Sequence, residues 1–197
     1  MNSNPPVLTE AEIRAIVAGT LAGDNQVFGT LVRTYQPYAF SLAFRLLHNE
    51  QDALDAVQDV FINVWRRLGQ YDPSRKFTTW LYALVSNRCM DLLRSRRRRV
   101  ALFESNQETL KHISGGPDLT LIHSNKELAE IIGLLTAHLP PTQRLVFVLR
   151  DLQNLTVEET AESTGLSVTS VKANLSYARK RIRHMLTRRY QIGGVSS

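Results

Sequence analysis

The sequence predicts an all-α protein, two small helical domains joined by a flexible linker. Three observations carry that expectation. Apolar residues recur at spacings of three and four along nearly the whole chain, strand-type alternation is nearly absent, and the periodicity lapses from Val100 to about Ser124, around Gly115, Gly116 and Pro117. A connection of about 25 residues is long for a compact domain, so the chain divides into 1–99, a linker 100–125 and 126–197.

In the first domain, Thr9 with Glu12 forms a capping-box pattern ahead of Ile13, Ile16, Val17 and Leu21, and Gly23 breaks the run. A second helix carries Phe28, Leu31, Val32 and Tyr35, meets a kink or break at Pro37, and continues through Phe40, Ala43, Leu46 and Leu47. The third places Val57, Val60, Phe61, Val64, Trp65 and Leu68 on one core-facing stripe. Its opposite face is acidic, with Asp52, Asp55 and Asp59 together and no Lys or Arg between Glu50 and Val64. Gly69 to Phe77 reads as a loop around Asp72 and Pro73. A fourth helix starts near Phe77 or Thr78 and runs through Trp80, Leu81, Leu84, Val85 and Leu92 into the basic run Arg94 to Arg99.

In the second domain, Leu128, Ile131, Ile132 and Leu135 form an apolar stripe ended by Pro140 and Pro141, and Thr142 is the expected N-cap of "TQRLVFVLRDL". Thr156 and Glu159 form another capping box, a turn passes through Thr164, Gly165 and Leu166, and Ser167 caps a helix starting at Val168. This is a helix-turn-helix pattern, with Val157, Thr160, Ala161, Leu166, Val168, Val171 and Leu175 as the positions where two helices cross. The second helix of such a unit offers its N-terminal side chains to the major groove. Thr169 and Ser170 suit phosphate oxygens, while Lys172, Ala173, Ser176 and Tyr177 project from one side and reach base edges.

Charge supports a polyanionic partner. The chain of 197 residues carries a formal +6, and seven Lys or Arg with no Asp or Glu lie between Lys172 and Arg189. Between Arg75 and Arg99 there are eight basic residues and one acidic, interleaved with Phe77, Trp80 and Tyr82. That mixture suits single-stranded nucleic acid, because aromatics stack on bases while cations hold the backbone. In-register Trp80 is expected in the core, and Tyr82, off that stripe, is the exposed aromatic. The single cysteine, Cys89, excludes a disulfide framework and is read as packing. Five histidines without ligand spacing give no metal set; no nucleophile or phosphate-cradling glycine loop argues for catalysis, and no cofactor is expected. With no membrane-length apolar run and no signal-peptide pattern, a cytoplasmic location is expected.

"DALDAVQDVFINVWRRL", "FTTWLYALVSNRCMDLLRSRRRR" and the stretch from Leu139 to Leu186 resemble, in order and spacing, the two domains of extracytoplasmic-function (ECF) sigma factors of bacterial RNA polymerase. The resemblance covers nearly the whole chain. It implies a promoter-specificity subunit rather than an enzyme. Asp55, Gln58 and Asp59 match the family surface that docks on the clamp helices of the polymerase β′ subunit, and the family's second domain also meets the β flap. The fourth helix and its preceding loop match the element that recognises and melts the −10 region, which falls on Lys76, Thr79, Tyr82, Ser86, Asn87 and Arg88. The helix-turn-helix would read the −35 element through Thr169, Ser170, Lys172, Ala173, Ser176 and Tyr177, with Arg179 on phosphate. Asn174 and Tyr177 stand where many members have arginine, so readout here would differ. The family also implies an anti-sigma factor, one that could hold the protein at the membrane. The other function classes are a stand-alone helix-turn-helix regulator of duplex operators and a pure interaction protein.

Overall fold

A computed structural model describes residues 8–104 and 125–190; every regular element among them is helical. Most of the expected linker, 105–124, lies outside the described residues.

Helix α1 spans Glu10–Leu21 and opens on the expected capping box. The Thr9 hydroxyl accepts from the Glu12 N–H at 3.2 Å, and the Glu12 carboxylate accepts from the Thr9 N–H at 2.7 Å. Helix α2, Asn25–Leu47, is capped by Asp24 and runs through Pro37 as one element rather than breaking there. Proline removes one N–H, and the burial of Leu31, Tyr35, Ala39, Leu42 and Leu46 along one stripe outweighs that loss. Helix α3, Glu50–Arg67, capped by Asn49, buries Ala53, Ala56, Val57, Val60, Phe61 and Val64. Trp65, expected in this core, is 40% exposed and meets Phe28 edge-on at 4.9 Å. A single 3₁₀ turn, Leu68–Gln70, and a tight turn at Asp72 lead to α4, Phe77–Glu104. The helix thus continues past Arg99, where the domain was expected to end. Tyr71 and Phe77 pack edge to face at 5.6 Å, and Tyr35 meets Phe77 at 5.0 Å, which fixes the start of α4 against α2.

The second domain contains α5 (Asn125–Ala137), α6 (Pro141–Phe147), a π turn (Val148–Leu152), α7 (Val157–Thr164) and α8 (Val168–Tyr190). Pro141, not a residue after a Thr142 cap, is the first residue of α6, because its fixed φ and missing N–H suit that position. Thr156 and Glu159 close the second expected capping box, at 3.0 and 2.8 Å. Gly165 ends α7 in the left-handed region at φ 70°, and the Ser167 hydroxyl accepts the Ser170 N–H at 3.1 Å to start α8.

The two domains pack directly on each other. Leu145, Val148, Leu149 and Leu155 join the apolar core of α1–α4, while Val146 and Phe147 join a smaller core with Leu139, Val171, Leu175 and Ala178. Arg144 ties the halves together. Its guanidinium donates to the Leu46 carbonyl of α2 at 2.7 Å and to the Thr136 and Ala137 carbonyls of α5 at 3.0 and 2.5 Å. Two helix C-termini from different domains thus share one cation.

His48 caps α2 in the left-handed conformation, φ 51°, beside this arginine. Burial, with Arg144 and His138 nearby, lowers its imidazole to about 4. An unfolded histidine titrates at about 6.5, so between these values the unfolded chain binds a proton that the folded chain refuses, and stability falls as pH drops through that window. Urea unfolding followed by tryptophan fluorescence should show a larger loss from pH 7 to 4.5 for the natural chain than for His48→Asn, a residue that tolerates the same φ. Equal losses would remove His48 from that account.

Candidate nucleic-acid interface

Three surfaces carry the residues expected to act. The first is the polar face of α3. Asp55 and Gln58 are exposed, and Asp55 accepts a hydrogen bond from Gln51 at 3.0 Å. The acidic stripe is not uncompensated, as its local sequence suggested. Helix α4 brings Arg88 to Asp59 at 2.6 Å and Arg96 to Asp52, leaving Asp55 as the carboxylate of the three without an ion pair among the described residues. Beside it, Phe28, Val32, Phe40, Leu54, Ile62 and Trp65 line an open apolar groove that Gln58 borders. Leu54, Ile62 and Trp65 are exposed there. Sequence reasoning missed Leu54 and Ile62, although both stand outside the core register of α3.

The second surface is the start of α4. Lys76 and Asn87 are exposed, and Arg88 is half-buried on Asp59. Thr79, Tyr82 and Ser86 are buried instead. They form one stripe at spacings of three and four, and the second domain covers its N-terminal part. The Thr79 carbonyl accepts from the Ser163 hydroxyl at 3.2 Å, and the Tyr82 hydroxyl donates to the Gln153 side-chain oxygen at 3.4 Å. Tyr82, expected to be the exposed aromatic, is therefore 2% exposed, and burial pushes its phenol up to about 12. Trp80, expected in the core, is only half-buried and packs on Tyr71 at 5.3 Å. Lys76 donates to Glu159 at 2.6 Å, and Arg75 lies 3.0 Å from Glu162. The hydrogen bond from Lys76 to Glu159, and the charge of that carboxylate, raise the Lys76 ammonium above its ordinary value. Burial opposes ionisation of Glu159, but its bonds from Lys76 and Thr156 prevail and lower it. The pairing of Glu159 and Glu162 with Lys76 and Arg75 was not foreseen from sequence, although "VEETAEST" is an acidic, unneutralised segment in a basic chain.

The third surface is α8. Val171, Leu175 and Ala178 are buried, which turns Thr169, Lys172, Ala173, Ser176 and Tyr177 to solvent together, with Tyr177 at 61% exposure. Ser170 is half-buried, where its hydroxyl and carbonyl both accept from Asn174, so it is less free than Thr169. Arg179 is exposed yet clamped by both Asp151 carboxylate oxygens, at 2.9 and 2.6 Å.

A capped helix-turn-helix with an exposed basic face, paired with a second helical domain, is the architecture of a nucleic-acid-binding protein. Residues 31–99 match the model of Sigma-70 region 2, and residues 129–182 that of Sigma-70 region 4. The ECF RNA polymerase sigma-E factor of Escherichia coli (strain K12) is 31% identical over 178 residues, covering 86% of this chain and 91% of that one. RNA polymerase sigma-H factor of Pseudomonas aeruginosa is 28% identical over 182 residues, covering 89% and 94%. Among solved structures, CnrH in complex with the cytosolic domain of CnrY superposes with a TM-score of 0.66 at 26% identity, over 90% of this chain and 99% of that one. The chain belongs to the ECF sigma factors of bacterial RNA polymerase. Membership in that family excludes the stand-alone operator-binding regulator as the leading reading.

Cys89 is fully buried in α4, and burial pushes its thiol up to about 12. A thiol-specific probe at pH 8 should therefore leave the native protein unmodified and react with one equivalent after unfolding in urea. Rapid labelling of the native chain would contradict the packing role.

Proposed function

We propose that this sigma factor binds core RNA polymerase through Asp55, Gln58 and the adjoining apolar groove of α2 and α3, and selects promoters through α8 and the start of α4. The observation that carries it is the register of α8: burial of Val171, Leu175 and Ala178 leaves Thr169, Lys172, Ala173, Ser176 and Tyr177 on one open face. Lys172 donates to base acceptors, Ala173 and the Tyr177 ring offer apolar contact, and Thr169 with the α8 N-terminus meets phosphate. The Asp151 clamp makes Arg179 a fixed phosphate contact rather than a base reader. The work is binding and duplex distortion, with no bond chemistry of its own. Among the described residues no helix is long and apolar enough to cross a membrane; a cytoplasmic site of action follows from the need to meet polymerase and chromosome.

On α4, Asn87 is the exposed polar group available to a flipped base, and Lys76 and Arg88 supply backbone cations. Thr79, Tyr82 and Ser86 belong to the same proposed surface, two of them beneath the second domain. Among the solved relatives, CnrH is in complex with the cytosolic domain of CnrY. An anti-sigma factor is proposed for this chain on the same footing. The groove beside Gln58 and the β-flap contact of the second domain complete the partner set.

Co-purification with core polymerase, followed by run-off transcription from genomic fragments, tests the whole reading. New start sites are expected only with this chain present; none, together with no retention on core, would overturn it. Asp55→Arg should reduce core retention at least about tenfold with an unchanged melting temperature, because it reverses an unpaired exposed charge. Lys172→Ala should weaken promoters that depend on the −35 element by about 1–3 kcal/mol of binding energy and relax preference at one base pair, read by competition footprinting. A uniform loss across sequences would reassign Lys172 to phosphate.

A further inference from the structure

Past the residues assigned to promoter bases, α8 borders a recess within its own domain. His138, just after α5, and Tyr177, Lys180, Arg181, His184 and Met185 of α8 line this open recess of about 430 Å³. We propose that it seats a phosphate of the duplex flanking the −35 element and does so with protonated imidazoles, so that promoter binding takes up protons. The inference rests on the promoter reading above and adds to it a ligand contact and a pH response.

The lining suits an anion. No carboxylate borders the recess, and among the described residues Lys180 and Arg181 have no ion pair. Two imidazoles and a thioether are also soft metal ligands, but two cations in the same recess repel a metal ion. His138 links the site to protons. Its Nδ1–H donates to the Leu134 carbonyl at 2.8 Å, and because a carbonyl only accepts, that bond fixes the tautomer. The neutral ring therefore keeps a lone pair at Nε2, which repels an anion, and only the imidazolium donates from both nitrogens. The described titratable and charged groups around His138 are Tyr177, Lys180, Arg181 and His184 of α8, Arg144 of α6, which bonds the carbonyls of Ala137 and Leu139, and His48 at the end of α2. None is a carboxylate, so the counter-charge for a protonated ring has to come from a bound anion.

Position selects the DNA backbone among anions. Tyr177 belongs both to the exposed face of α8 and to the recess, and Lys180, Arg181 and His184 follow it at three, four and seven residues, the register of one helical stripe. His184 lies roughly 10 Å beyond Tyr177 along the helix axis, and the major groove is about 12 Å wide, so a helix whose first turns meet bases carries these cations to the phosphates that border the groove. His138 faces the same recess from α5, so two elements of the domain grip one anion.

The test measures binding of holoenzyme, the full chain with core polymerase, to a duplex promoter fragment taken from a start site mapped by run-off transcription, at pH 6 and pH 8 and constant ionic strength. His48 is held neutral down to about pH 4 and does not titrate in this window. The comparison is the His138→Gln/His184→Gln variant, altered at two exposed positions and expected to melt at the natural temperature. One proton taken up tightens binding up to about tenfold per pH unit, so the natural chain's ratio of affinity at pH 6 to that at pH 8 should exceed the variant's at least about fivefold. The salt dependence at pH 6 should also be steeper for the natural chain by about one phosphate. Equal ratios for the two chains would overturn the seat. So would a variant that loses retention on core at pH 6 with unchanged DNA affinity, which would make an acidic protein segment the occupant. Inorganic pyrophosphate, titrated into the full chain at pH 6 and followed by the histidine ring signals in NMR, separates the two sources of phosphate: weak, millimolar binding is expected, and micromolar binding abolished by His138→Gln would reassign the recess to a small phosphate ligand. A holoenzyme that never retains the mapped fragment sinks the promoter reading and the seat together, whereas retention with equal pH ratios sinks the seat alone.

Discussion

The run from Leu145 to Leu149 is apolar on every side, and the architecture depends on satisfying both of its faces at once. Leu145, Val148 and Leu149 complete the core of the first domain, while Val146 and Phe147 complete that of the helix-turn-helix. A helical segment of this kind must be buried all round. The π turn that begins within it, Val148–Leu152, allows consecutive residues to serve two cores before the chain turns into α7. Arg144, just ahead of the run, converts the packing into a defined geometry by binding carbonyls of α2 and α5 together. Burial lowers its guanidinium from the ordinary value, yet the carbonyls of Leu46, Thr136, Ala137 and Leu139 keep the charge satisfied.

From that junction the charge distribution becomes intelligible. A protein with a formal +6 nevertheless carries two acidic surfaces, and each has a different fate. On α3, Asp52 and Asp59 are matched by Arg96 and Arg88 of α4, which fixes the two helices relative to each other, and Asp55 has no ion pair among the described residues. On α7, Glu159 and Glu162 meet Lys76 and Arg75 across the domain boundary. Among the described residues, the basic exposed face of α8 meets no such carboxylate except at Arg179. The basic residues thus differ along one molecule: those at the start of α4 are paired with carboxylates of α7, and Lys172 on α8 is exposed.

Local signals in the sequence were strong where a few neighbouring residues settle the conformation. Both capping boxes, the left-handed Gly165, the Ser167 cap and the amphipathic register of α3 and α8 depend on interactions within a turn or two, and these were legible. The exposed face of α8 followed directly, since fixing which residues bury fixes which remain. Pro37 and Pro141 were less legible. A proline's cost at one N–H competes with burial of a whole helix face, and only the packed structure weighs the two.

The sequence by itself determined the helices, both capping boxes, the helix-turn-helix, the exposed face of α8 and, through ordered motifs, the family. Tertiary structure alone decided what α4 shows to solvent. Tyr82 lies off the Phe77–Trp80–Leu84 stripe and so reads as exposed, but a helix packed on two sides buries two stripes, and Tyr82 is covered by Gln153, 71 positions away. Long-range pairs of the same kind, Arg88 with Asp59 and Lys76 with Glu159, leave no trace in local periodicity, because their energy depends on a separation that exists only after the helices and domains have packed.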